Sequence, residues 1–186
     1  MAKTIALAGT FDSKGKEFLF VKELIESLGF NTFTIHTGVY DPEFTPDVSH
    51  EEVAAAAGED IREIAVEGKG RARATEVLAK GMEKLLPRLY EKGEFDGILS
   101  LGGTGGTSIV TPGMRALPVG VPKVMVSTVA SGNIQPYVGT SDIVMMPSIV
   151  DVAGLNVFQL KFLQMLSLPL VGCFSLNRKI SWRRNP

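Results

Sequence analysis

A short apolar run that ends directly in a glycine cluster constrains this chain more than any other feature. Residues 96–107 read Asp-Gly-Ile-Leu-Ser-Leu-Gly-Gly-Thr-Gly-Gly-Thr. The first half has the length and apolarity of a buried strand, and the second half is four glycines interleaved with two threonines. Gly102, Gly103, Gly105 and Gly106 leave backbone N–H groups uncovered by any Cβ, so an anion can approach closely. Thr104 and Thr107 add hydroxyl donors. A helix opening here would aim its partially positive N-terminus at the same point. By its chemistry the run is a phosphate cradle, although it matches neither the GxxxxGK[ST] nor the GxGxxG pattern. The bland alternative is a flexible turn.

A strand feeding glycines and then a helix is one βα unit, and the rest of the chain repeats that unit. Residues 4–8 form a first apolar run, which stops at Gly9-Thr10-Phe11-Asp12-Ser13-Lys14. Phe18, Val21, Leu24, Ile25 and Leu28 then recur at three and four, the spacing of a helix with one apolar face. Gly29 stands where a glycine ends such a helix. Residues 31–36 read as the second strand, closed by Thr37 and Gly38. Ser49 and Glu52 form a capping box that opens a helix running to Gly58. Residues 67–73, glycine-rich and basic, read as a solvated linker, with a phosphate-seeking loop as the alternative.

A long helix with Leu78, Met82, Leu85 and Leu89 on one face follows, bent or broken at Pro87 and ended at Lys92-Gly93. Residues 107–117 read as a helix interrupted near Pro112. Residues 121–128 read as the fourth strand and 141–147 as the fifth. Alternation of this kind implies an α/β class with an open, mainly parallel sheet and helices on both faces. Ligands of such sheets sit outside the carboxyl ends of the strands. Three polar loops fall there: residues 9–16, 102–107 and 127–132. In the first, Thr10 and Ser13 offer hydroxyls and Lys14 or Lys16 a positive charge. Asp12 there suits either a magnesium ion or a ribose hydroxyl, and helix capping by Asp12 or Ser13 is the structural alternative. His50 reads as a surface or first-turn residue, and Tyr137 as loop packing or a base-stacking wall.

Composition excludes several classes. The 186 residues suit one domain and carry a net charge of −1, which gives no bias toward nucleic acid or an anionic membrane. The single cysteine, Cys173, permits no intrachain disulfide and fits a reducing cytoplasm. The apolar N-terminal run is too short for a signal peptide. The most apolar late segment, residues 157–174, contains Gln159, Lys161, Gln164 and Pro169, which argue against a membrane span. No metal-spaced Cys/His cluster, nucleophile elbow or carboxylate pair stands out.

Several loops, in this order, carry a resemblance. They are Ala-Gly-Thr-Phe-Asp-Ser-Lys at 8–14, Leu-Gly-Gly-Thr-Gly-Gly-Thr at 101–107 and Val-Ser-Thr-Val-Ala-Ser-Gly at 126–132. Tyr-Val-Gly at 137–139, Ser-Asp-Ile at 141–143 and Asp-Val-Ala-Gly-Leu-Asn at 151–156 continue the series, and residues 46–54 with Gly58 also fit. Together they resemble the ATP-binding domain family named for the tomato mosaic virus resistance protein. The resemblance implies the first of two Rossmann-like lobes, over residues 1–156, binding ATP with or without magnesium. It places the phosphates against Gly102, Gly103, Thr104, Gly105, Gly106 and Thr107. Gly9, Thr10, Asp12 and Lys14 lie opposite, and Ser127, Thr128, Ser131 and Gly132 line the site from the next strand. At Thr37 the family often has an acidic residue.

After Asn156 the sequence departs from the family pattern. Plausible codons read one frame over restore an Ile-Ser start close to it. The expectation is therefore a frameshift near Asn156, making residues 157–186 an atypical helix and tail; a gene without that continuation would contradict it. The functional expectation is a nucleotide-controlled binding module, cytoplasmic and homo-oligomeric, without membrane or nucleic-acid partners. The alternatives are an ATP-dependent phosphoryl- or adenylyl-transfer enzyme lacking its second lobe, and a site for a sugar phosphate or other small anion.

Overall fold

Among the described residues the chain forms five strands, all parallel. The computed structural model describes residues 2–66 and 70–148. β1 (Thr4–Gly9) and β2 (Asn31–His36) are joined by α1 (Gly15–Ser27). A longer connection through α2 (His50–Ala57), α3 (Ile61–Val66) and α4 (Gly70–Glu91) leads to β3 (Gly97–Gly102). α5 (Thr104–Ala116), β4 (Lys123–Ser127), a short 3-10 turn (Thr128–Ser131), α6 (Gln135–Val138) and β5 (Val144–Pro147) follow. The sheet order is β2-β1-β3-β4-β5, and every neighbouring pair is parallel. The chain therefore steps outward from β1 to β2, then returns to the other flank of β1 with β3. This is a doubly wound, Rossmann-like α/β sheet whose direction reverses between β1 and β3.

Period-two alternation sorts the strand side chains onto two faces. Ile5, Leu7, Leu99, Leu101, Val124 and Val126 pack in one cluster with Phe18, Val21 and Ile25 of α1. Ala6, Ala8, Ile98 and Met125 point the other way, into a second cluster with α2, α4 and α5. Each fully buried aliphatic side chain contributes about 1.5–3 kcal/mol. That outweighs the roughly 1 kcal/mol helix penalty of a glycine. Burial accordingly overrides propensity in α5, which starts at Thr104 rather than Thr107 and takes the last glycines of the cradle into its first turn.

The prolines inside α5 and α4, Pro112 and Pro87, do not interrupt the helices. The apolar faces on either side of each proline remain buried, and that holds the helix together across the missing N–H. The basic stretch expected as a linker is helical from Gly70, where α4 begins, and Arg73 is committed to Glu59 at 2.7 Å.

Local stop and start signals operate as the residues dictate. Gly29, Gly58 and Gly93 adopt φ of 84°, 88° and 79° beyond their helices. Ser49 Oγ accepts from the Glu52 N–H while Glu52 Oε2 accepts from the Ser49 N–H, completing the box that opens α2. After β2 the chain folds back on itself. Val48 bridges Ile35, and the Asp47 carboxylate accepts from the Thr34 N–H and hydroxyl at 2.7 and 2.6 Å. None of the helices among the described residues is long and apolar enough to cross a membrane. The expected frameshift, the 151–156 motif, Cys173 and the late apolar segment lie outside the described residues.

Candidate functional site

The strand-end loops singled out in the sequence all lie along the carboxyl edge of the sheet, because every strand is parallel. The gap between β1 and β3 is the reversal point, and the loop after β1 and the N-terminus of α5 flank it. Gly103 is the N-cap of α5, extended at φ −88° and ψ −162°, and contributes no side-chain cap. The Thr107 N–H closes onto the Gly103 carbonyl at 3.0 Å. The N–H groups of Thr104, Gly105 and Gly106 precede that first closure and have no intrahelical acceptor. They sit where the helix dipole is most positive.

The protein itself does not require these glycines. None of Gly102, Gly103, Gly105 and Gly106 has a positive φ. A Cβ on Gly105 or Gly106 meets nothing within 4 Å, and one on Gly103 meets only Thr128 Oγ1 at 3.7 Å, an ordinary contact. The space is open on the outer side of the turn. Gly9 differs: a Cβ there would run into the Phe18 ring, so its bareness serves the packing of α1 on β1.

Two of the cradle hydroxyls are engaged inside the protein. Thr107 Oγ1 donates to the Gly103 carbonyl at 2.8 Å and lies 2.6 Å from Ser127 Oγ. With that proton committed, Ser127 donates to Thr107 and accepts from the Val129 N–H at 3.2 Å. This relay ties the start of α5 to the end of β4, and both side chains are fully buried. Thr104 is exposed on the outer side, Thr128 stands beside Gly103, and Ser131 and Gly132 are exposed.

On the β1 side, the Thr10 carbonyl accepts from the Ser13 and Lys14 N–H groups, and Ser13 Oγ donates to Thr10 Oγ1 at 3.0 Å. Lys14 is the N-cap of α1 and, like Gly103, caps with no side-chain hydrogen bond. Asp12 Oδ2 accepts from the Tyr40 N–H at 3.2 Å. Thr37 donates its N–H to the Gly9 carbonyl at 2.8 Å. Among the described residues, three buried side-chain oxygens have no hydrogen-bond partner: Asp12 Oδ1, Thr37 Oγ1 and Ser100 Oγ. Ser100 pairs in register with Ala8 across the β1/β3 seam. Buried orphans of this kind are rare and call for a physical cause.

Both histidines of the chain meet beside this site, with ring centroids 5.0 Å apart. His36 Nδ1 accepts from the Phe11 N–H at 3.2 Å, and Nε2 donates to the Tyr40 carbonyl at 2.8 Å. It thereby pins the loop after β1 to the loop after β2. Burial holds its pKa below the ordinary histidine value, against the hydrogen bond to Tyr40. His50, expected on the surface or in a first turn, is in the first turn of α2 but buried. Its Nδ1 donates to the Gly38 carbonyl at 2.8 Å, so a polar tether draws it inward. Neither histidine was legible as a site residue. The one available signal was that His36 ends a strand two residues before a glycine.

Tyr137, on α6, is half-buried, and its carbonyl and that of Pro136 both accept from Arg115 at 3.0 Å. The structure therefore gathers the loops after β1, β2, β3 and β4 along one edge. Thr107 and Ser127 hold the cradle from within, while the N–H groups of Thr104, Gly105 and Gly106 have no acceptor inside the helix.

Residues 3–178 match the N-terminal domain of the uncharacterised protein family UPF0261, so the match runs past Asn156, where the sequence was expected to leave the family pattern. A UPF0261 protein of Clostridium tetani is 44% identical over 173 residues, covering 92% of this chain and 43% of that protein. A UPF0261 protein of Rhizobium meliloti is 41% identical over 154 residues, covering 83% of this chain and 38% of its own length. The ToMV susceptible protein tm-1(GCR26) of Solanum lycopersicum is 34% identical over 164 residues, covering 80% of this chain and 22% of that protein. The chain thus spans less than half the length of these relatives.

Proposed function

The chain belongs to the UPF0261 family, and on that premise we propose that it is a nucleotide-binding lobe that grips phosphate at the β1/β3 gap, with ATP as the ligand. The observation that carries this reading is the set of glycines the fold does not need: no positive φ and no neighbour for a Cβ at Gly105 or Gly106. A bare turn that neither conformation nor packing demands leaves room for something outside the protein.

The chemistry of that room selects an anion. A helix dipole alone contributes about 0.3–1 kcal/mol to an exposed anion and up to ~2 when partly buried. That is well short of the roughly 8 kcal/mol of a micromolar complex. Hydrogen bonds to a charged group add about 1.5–3 kcal/mol each. The three free N–H groups of Thr104, Gly105 and Gly106 would close the difference. Lys14 and Lys16, at the start of α1, would supply positive charge from the opposite wall, and the Thr104 hydroxyl a further donor. Ser127 and Thr107 would hold the cradle in place through their relay to Gly103. Binding would draw the loops after β1 and β3 toward one ligand, which suits a module whose shape answers to nucleotide.

Calorimetry with ATP, GTP and a sugar phosphate, with and without magnesium, tests the reading. Saturable heat with ATP is the expected result. No heat with any phosphate compound would overturn it.

A further inference from the structure

Tyr40 stands apart from the other aromatic residues around the site. Phe11 stacks on Phe44 and meets Phe18 edge to face, with ring centroids 4.6 and 4.8 Å apart. Tyr40 takes part in no ring contact among the described residues, and the residue is 74% exposed. A single exposed aromatic is ordinary on a protein surface. The backbone of this one is held at both ends by residues of the site wall. Its N–H donates to Asp12 Oδ2 and its carbonyl accepts from His36 Nε2. With the backbone fixed, a flat partner that stacks on the exposed ring has only its two side-chain torsions to order.

Its position fits the far end of a nucleotide. Tyr40 follows β2, the strand beside β1 on the flank away from β3. With strands about 4.8 Å apart, the end of β2 lies roughly 7 Å along the edge from the β1/β3 gap. In doubly wound sheets whose phosphates sit at the loop after the first strand, the ribose hydroxyl is held at the end of the second strand, and the loop after β1 is here the facing wall of the cradle. Here that end carries Thr37 Oγ1 and Asp12 Oδ1, both without partners, around Gly38. Tyr137, on the β4 side, is half-buried, and its segment is anchored by Arg115.

Building on the nucleotide reading, we propose that Tyr40 is the platform on which the base of the bound nucleotide stacks, with the sugar over Thr37 and Asp12. Tyr40 then determines preference for a nucleotide over a bare polyphosphate. Stacking is tolerant of base identity, so the platform prefers bases as a class rather than adenine alone.

The 186-residue chain is titrated with ATP and, separately, with inorganic tripolyphosphate. Tyr40→Ala should weaken ATP by about tenfold or more while leaving tripolyphosphate within about twofold. Tyr40→Trp should retain or improve ATP binding. Unchanged ATP affinity in Tyr40→Ala, with tripolyphosphate still bound, would overturn the platform alone. Equal losses for both ligands would also overturn it, since they would mean that Tyr40 acts through the loop and not on the base. A wild-type chain that binds neither ligand would overturn the phosphate cradle, and the platform with it.

Discussion

Gly105 and Gly9 are both strand-end glycines, yet they should fail in opposite ways when enlarged. A side chain at Gly105 meets open space, so Gly105→Val should change stability by no more than about 1 kcal/mol while abolishing phosphate binding. A Cβ at Gly9 strikes the Phe18 ring, so Gly9→Ala should cost about 1–3 kcal/mol through overpacking. Urea unfolding beside ligand titration separates the two, and a stability loss at Gly105 equal to that at Gly9 would contradict the assignment. His36 adds a pH dependence. Its folded pKa is depressed by burial, so its stabilising contribution is complete above the ordinary histidine pKa of about 6.5 and is lost as pH falls through the folded value. The chain should therefore lose stability as pH drops below about 6.5. His36→Asn, which offers an amide oxygen near the Nδ1 position, should flatten that slope in thermal melts.

At the scale of elements, helix spacing is set by glycines that the packing does need. A Cβ on Gly81 of α4 would run into the Val53 carbonyl of α2, and one on Gly113 of α5 would come within 2.7 Å of the Met82 carbonyl of α4. Gly81→Ala should force α2 and α4 apart and cost about 1–3 kcal/mol in chemical unfolding. The amino end of the sheet is tied differently. The fully buried Lys123 ammonium donates to Asp142 and to the Pro118 and Val121 carbonyls. Burial would raise the Asp142 pKa, but Lys123 and the Gly120 N–H outweigh it and hold it below the usual carboxylate value. That contribution is present above the unfolded pKa of about 4 and is lost as pH falls through the folded value. Asp142→Asn should cost about 1 kcal/mol at neutral pH, a modest figure because the carboxylate is one-third exposed. It should also remove part of the acid limb of the stability curve. An unchanged acid limb would discount the tie.

Element boundaries divide along the same physical line. The capping box at Ser49 and the stops at Gly29, Gly58 and Gly93 were legible, because each is decided by a few adjacent residues. The start of α5 at Thr104, the unbroken course through Pro87 and Pro112, and the helical Arg71 to Arg73 were not, because packing decides them.

Across the whole molecule, alternation of strand and helix signals sufficed for the α/β class, and parallel strands then force the polar loops that follow them to one edge. The order β2-β1-β3-β4-β5 had no sequence signal of its own, since strand neighbours are chosen by face-to-face burial between distant segments. With that order in place, residues 9–14 and 102–107 flank the reversal point. The histidine pair and the orphaned oxygens of Thr37 and Ser100 stayed hidden for the same reason: each depends on partners, or on their absence, far away in sequence. The amide resonances of Thr104, Gly105 and Gly106 during a titration with ATP report most directly on the cradle. Saturable downfield shifts concentrated on these three amides and on the loop after β1 are the predicted result; shifts confined to another face, or none at all, would contradict it.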